Sequence, residues 1–217
     1  MGSAFGRMEA DIFGICVPYT DKQSIEHFVM RSMNALQNFS SAYYIVPCFG
    51  IYITGEEDLP ASIMFDRATL AAKHCKGNYV NYFEYYNDDM RLRIEKEQEI
   101  VNDMNYALQD NQFTIYVQPK YNVMTNTPAG GEVLLRWIRP KKGMIPPGIF
   151  IPLFEKNGFV VKLDAYVWEE ACKMLKRWID QGKKPNPISV NVSRVNIYNP
   201  HFVENIIKLV DRYQIPH

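Results

Sequence analysis

E-V-L-L-R-W at residues 132–137 and Y-V-Q-P-K at residues 116–120 are two runs rich in β-branched and aromatic residues, the composition of strands. Between them lies N-V-M-T-N-T-P-A-G-G, residues 122–131, shorter than the dozen or so residues that a parallel crossover needs. The strands over 113–121 and 132–138 are therefore expected to pair antiparallel. Downstream, S-V-N-V-S at residues 189–193 lies in a third apolar run over 187–193 that also reads as a strand. Glu132 is expected at the head of its strand and Asn191 inside a buried one. A carboxylate and a side-chain carbonyl are oxygen donors of the kind Mg²⁺ or Mn²⁺ prefers. A solvated glutamate and a core amide bonded to backbone would explain the same two residues.

The segments between these strands read as helices. A short helix is expected over 147–157, a long one over 163–180 with Val167, Ala171, Met174, Leu175, Trp178 and Ile179 on one face, and a last one over 200–213. Asp164 suits an N-terminal cap of the long helix. The order predicts the beginning of an α/β barrel with an antiparallel first strand. Residues 112–217 are far fewer than the roughly 250 of such a barrel, so this part is expected to be incomplete.

Upstream, residues 11–19 predict a buried strand, 23–39 a helix, 43–54 a strand with Gly50 at a bulge or close backbone approach, 61–76 a helix capped by Gly77, and 78–86 a strand. From 87 to 111 the composition turns to charge without Gly or Pro, which predicts a linker helix. Ile94, Val101 and Leu108 recur at sevens, but Glu97 interrupts the seam that a coiled coil requires. The expected organisation is mixed α/β: a first unit over 1–86, the linker over 87–111 and a second unit over 112–217.

Composition narrows the partners. With 24 basic and 24 acidic residues the net charge is zero, so no overall basic field exists to draw the chain to DNA. Cys16, Cys48, Cys75 and Cys172 form no C-x-x-C pair and lie among apolar neighbours. A reducing, cytoplasmic setting is the simplest expectation. No segment approaches the ~18 apolar residues of a membrane span, although a tether outside this sequence would still place the parent protein at a membrane.

Q-P-K at 118–120, E-V-L-L-R-W at 132–137, F-I-P-L-F-E at 150–155, L-D at 163–164 and S-V-N-V-S at 189–193 resemble, in order and separation, the opening half of an EAL domain, the cyclic-di-GMP phosphodiesterase family. The resemblance implies metal-ligand roles for Glu132 and Asn191, with Glu132 catalytic. It also implies contacts to the cyclic dinucleotide from Gln118 and Arg136, whose planar fork suits a phosphate. Val133 stands where the family signature has alanine. The family's remaining acidic, lysine and amide groups fall beyond His217, so the resemblance implies hydrolysis by the intact domain with Mg²⁺ or Mn²⁺ and none by this chain alone.

R-M-E-A-D-I-F at 7–13 and F-D-R-A-T-L-A-A-K at 65–73 resemble the second half of a GGDEF, or diguanylate cyclase, domain, which gives a tandem GGDEF-EAL arrangement. Glu9 and Ala10 replace the glycines of that turn, Asp11 keeps a carboxylate, Ile12 replaces the acid and Phe13 follows. The unit is thus expected to be regulatory or merely structural and not an active cyclase. The other readings of the whole are a non-catalytic cyclic-di-GMP receptor and a scaffold dimerising through the 88–108 helix. Uncovered strand edges predict a homo-oligomer.

Overall fold

The computed structural model describes residues 3–39, 45–55, 59–76 and 81–216. The chain divides into two compact units, Met1–Glu95 and Lys96–His217. Among the described residues no helix is long and apolar enough to cross a membrane. The architecture is mixed α/β with open sheets, as expected.

In the first unit β1 (Ala4–Glu9) and β2 (Ile12–Cys16) form an antiparallel hairpin. The buried strand expected over 11–19 is thereby corrected. It is five residues long, and Phe13 and Ile15 are 63% and 48% exposed. A two-stranded ribbon cannot enclose its own side chains. Cys16 is exposed for the same reason. Helix α1 (Lys22–Gln37) starts at a capping box, in which Asp21 Oδ1 accepts from the Ser24 amide at 2.7 Å. It buries Ile25, Val29 and Met33, one face at helical spacing.

Strand β3 (Phe49–Ile51) runs parallel to β4 (Phe83–Tyr85), with α2 (Ala61–Cys75) between them in sequence. Both strands are shorter than expected. The expected cap Gly77 and parts of the two strand predictions, 43–44 and 78–80, lie outside the described residues. Gly50 is where α2 meets the sheet: a Cβ there would stand 1.8 Å from the Ala68 carbonyl oxygen. The close approach read from the sequence is real. Burial, and then a hydrogen bond with Cys48, push the Cys75 thiol up to about 12, so it stays protonated and behaves as a small core hydrophobe.

Helix α3 (Asp88–Gln109) contributes Ile100 and Ala107 to the core of the second unit, with Val101, Met104 and Leu108 packed against it. There β5 (Phe113–Asn122) pairs antiparallel with β6 (Thr127–Arg139), the arrangement that the short connection predicted. The opposite edge of β6 takes β7 (Gly143–Ile145) antiparallel at one end and β8 (Ile188–Ser189) parallel at the other. Helices α4 (Pro147–Lys156) and α5 (Val160–Asp180) cover one face of this sheet. Phe113, Trp137, Phe150 and Phe154 meet there, with the Phe113 and Trp137 ring centroids 5.1 Å apart. Arg139, 9% exposed, donates to Glu99 at 2.7 Å and also to Asp103, and it lies over the Trp137 ring. Lys142 and Arg139 hold the Glu99 carboxyl below its usual range.

Three expectations are corrected here. Glu132 lies inside β6 and not at its head, because Gly130 and Gly131 belong to the strand. Strand β8 spans two residues, so Asn191 falls in the loop after it and is exposed. The third correction concerns Asp164, which sits within α5 and accepts from the Ser193 amide at 2.9 Å and Asn196 Nδ2 at 2.8 Å. It anchors the loop before α6 (Arg194–Ile197) and does not cap its own helix. Helix α7 (Phe202–Arg212) buries none of its residues, and Val203 and Ile207 are 64% and 45% exposed.

Two substitutions test these constraints. Ala10 adopts φ 38°, a left-handed conformation that disfavours any side chain. Ala10→Gly is expected to stabilise the hairpin by about 1 kcal/mol, read as slower amide exchange in β1 and β2; faster exchange would show that the turn is unstrained. A Cβ on Gly130 would stand 2.8 Å from the Pro187 carbonyl oxygen. Gly130→Ala is therefore expected to cost about 1–3 kcal/mol by prising β8 from β6, and an unchanged urea midpoint would contradict that close approach.

Candidate functional site

Side chains alternate across a strand, and β6 shows the alternation in its burial. Val133, Leu135 and Trp137 are buried on the helix-covered face, at 2%, 9% and 0% exposure. Glu132 and Arg136 consequently project from the opposite face. The pairing register sets Gln118 directly beside Glu132 on one edge and Ser189 directly beside it on the other. Lys120 lies two residues beyond Gln118 and so shares that face. One short stretch of a single strand thus gathers polar groups from three strands.

Asn191 completes the group. Its Nδ2 donates to Glu132 Oε1 at 3.2 Å, so the two residues singled out in the sequence converge although 59 positions separate them. The loop that carries Asn191 is held at two points. Trp168 Nε1 donates to the Asn191 carbonyl oxygen at 3.1 Å, and Asp164 binds Ser193 and Asn196. Asn191 is partnered and exposed, not the core amide of a buried strand.

Glu132 Oε2 faces Lys120 Nζ at 3.7 Å, and the same ammonium donates to Ser189 Oγ at 2.7 Å. The Ser189 hydroxyl in turn donates to the Gly131 carbonyl oxygen at 3.2 Å. Gln118 is exposed on this face. Arg136 is four residues from Glu132, roughly 13 Å at the usual strand rise, and its Nη1 donates to the carbonyl oxygen of Leu135 at 2.8 Å. Glu132, Asn191 and Gln118 thus come together, while Arg136 lies farther along the same face.

The donor set fits part of a hard-cation shell. Glu132 supplies carboxylate oxygens, and an amide turned over about its Cβ–Cγ bond presents Oδ1 where Nδ2 now lies. Among the described residues no three His, Cys, Asp or Glu side chains gather at one point. Two protein ligands leave most of an octahedral shell to water or further groups.

Lys120, Ser189, Trp168 and Asp164 were given no part in the site by sequence reasoning. Strand parity was the available signal for the first two: Lys120 follows Gln118 by two and Ser189 precedes Asn191 by two. No such signal existed for Trp168 or for the tie from Asp164 to Ser193, which spans 29 positions. The turn Glu9, Ala10, Asp11, Ile12 and Phe13 closes the β1–β2 hairpin, with Arg7 Nε donating to the Ala10 carbonyl oxygen at 2.7 Å. All five residues are exposed.

Comparison with known proteins shows which family the chain resembles. The bifunctional diguanylate cyclase/cyclic di-GMP phosphodiesterase MucR of Pseudomonas aeruginosa is 30% identical over 148 residues, 68% of this chain and 22% of its own length. An uncharacterized protein of Mycobacterium tuberculosis is 36% identical over 121 residues, 55% of this chain and 39% of its own length. The chain therefore spans well under half the length of these relatives. Among solved structures, the P. aeruginosa MucR phosphodiesterase in complex with c-di-GMP superposes with a TM-score of 0.51 at 32% identity, covering 54% of this chain and 47% of that one. The Xanthomonas citri FimX EAL domain, in complex with c-di-GMP, shares the fold at a TM-score of 0.50 and 22% identity, covering 58% of this chain and 48% of that one. A family model described as the EAL domain matches residues 101–217, and over those residues the chain belongs to the EAL domain family.

Proposed function

We propose that residues 101–217 form the opening part of a cyclic-di-GMP site whose complete domain hydrolyses the dinucleotide with Mg²⁺ or Mn²⁺. The observation that carries this reading is the approach of Asn191 to Glu132 at 3.2 Å, on the face that also presents Gln118 and Arg136. Glu132 and Asn191 would hold the metal. A bound divalent ion would lower the pKa of water and offset charge developing on the phosphate. Arg136 would take a phosphate oxygen pair through its planar fork, and Gln118 would bond the dinucleotide beside the metal. A carboxylate and an amide by themselves complete neither a metal shell nor a hydrolytic apparatus, so these 217 residues are assigned a binding role and the intact parent a catalytic one.

The first unit is proposed to be the degenerate GGDEF half of a tandem protein. The MucR match supports this, because it covers a longer span than residues 101–217 and that relative carries a cyclase name. Ala10 in a left-handed conformation supports it too, since that backbone is one in which glycine is at ease. Ile12, 38% exposed, offers no acid for GTP condensation, so the unit is assigned a regulatory role. A cytoplasmic setting follows from the proposed substrate.

Titration of the chain with cyclic-di-GMP in Mn²⁺, followed by calorimetry, tests the reading. Arg136→Ala is expected to weaken binding about ten-fold, the scale of one charged hydrogen bond. Glu132→Gln is expected to remove the metal-dependent part of the affinity without unfolding the chain. Binding unchanged in both variants would reject the site. The exposed Phe5, Phe13, Val203 and Ile207 also predict self-association, and a monodisperse monomer by light scattering would contradict it.

A further inference from the structure

Lys120 is the charged group on the β6 polar face to which the metal reading assigns no role. It pairs in register with Gly130, which has no side chain to block the way. Its stem therefore crosses β6 and reaches Ser189 on the far edge, two strand spacings or about 10 Å across the sheet. The ammonium is held there. Its donation to Ser189 Oγ at 2.7 Å is directed, because the hydroxyl proton is engaged by the Gly131 carbonyl oxygen. Both oxygens of Glu132 now face donors: Oε1 takes the Asn191 amide, and Oε2 lies 3.7 Å from the ammonium. Glu132 and Lys120 form a pair of opposite charges whose sum is zero.

We propose that Lys120 is the resident counter-cation of Glu132, with which a divalent ion must share the carboxylate in order to bind, so that Lys120 lowers the metal affinity of this site. The proposal rests on Glu132 being a metal ligand. A divalent ion on Glu132 would share the carboxylate with a fixed positive charge a few ångströms away. At a half-exposed site such repulsion corresponds to on the order of a ten-fold weakening. The tether matters as well, because a free lysine would swing into solvent while one bonded to Ser189 stays. Methionine at position 120 keeps the stem that lies across Gly130 and removes only the charge.

The test is Mn²⁺ binding by the chain, measured as loss of the free-ion electron paramagnetic resonance signal at low ionic strength. Lys120→Met is expected to bind Mn²⁺ about ten-fold more tightly than the parent, and Ser189→Ala, which frees the ammonium, to shift affinity in the same direction by less. Added salt should narrow the difference. Equal affinity of Lys120→Met and the parent, with binding lost in Glu132→Gln, overturns the counter-cation and leaves Glu132 as a ligand. Binding that persists in Glu132→Gln, or its absence in every variant, overturns both. A circular dichroism spectrum matching the parent verifies the fold of each variant.

Discussion

Strand β6 is the constraint on which the second unit depends, because both its edges are paired and its two faces do different work. One face closes the aromatic core around Trp137 and Phe113, where large rings are buried against one another. The other carries Glu132 and Arg136. Strand alternation ties the two faces together: a slip of one residue would turn Glu132 into the core and Trp137 out of it. The register that buries the core is therefore the register that builds the site.

Two glycines make the convergence possible. Gly130 and Gly131 let β8 approach β6 so closely that a Cβ at Gly131 would stand 2.9 Å from Ile188 Cδ1 and one at Gly130 2.8 Å from the Pro187 carbonyl oxygen. That approach seats Ser189 beside Glu132 and starts the following loop at the right place. From there hydrogen bonds take over from sheet pairing. Trp168 and Asp164, both on α5, hold the backbone of the loop, and Asn191 is aimed at Glu132 as a result. Helix packing thus positions a group that the short strand β8 could not position by itself.

Around Glu132 the polar face has its charges paired. Glu132 is answered by an amide on one oxygen and an ammonium on the other, which is a stable resting arrangement for a half-exposed carboxylate. Arg139 on the opposite face shows the contrast. It is almost fully buried, and it is tolerated there because Glu99 and Asp103 meet it and Trp137 lies against it. A charge on the core side needs fixed partners, whereas one on the site side can exchange its partners for a ligand.

The antiparallel β5–β6 pair and the glycine approach at Gly50 were legible in the sequence, because each is written in spacings of a few residues. The hairpin β1–β2 was misread as a buried strand, since an apolar run has the same composition whether or not a second layer covers it. The end of β8 at Ser189, the capture of Ser193 by Asp164 and the seat of Lys120 between Glu132 and Ser189 were not legible. Sequence alone determined which residue types share a strand face, because strand alternation is local. Only the tertiary structure decided which groups touch across strands and loops, because those contacts depend on side-chain reach and on how closely two backbones approach.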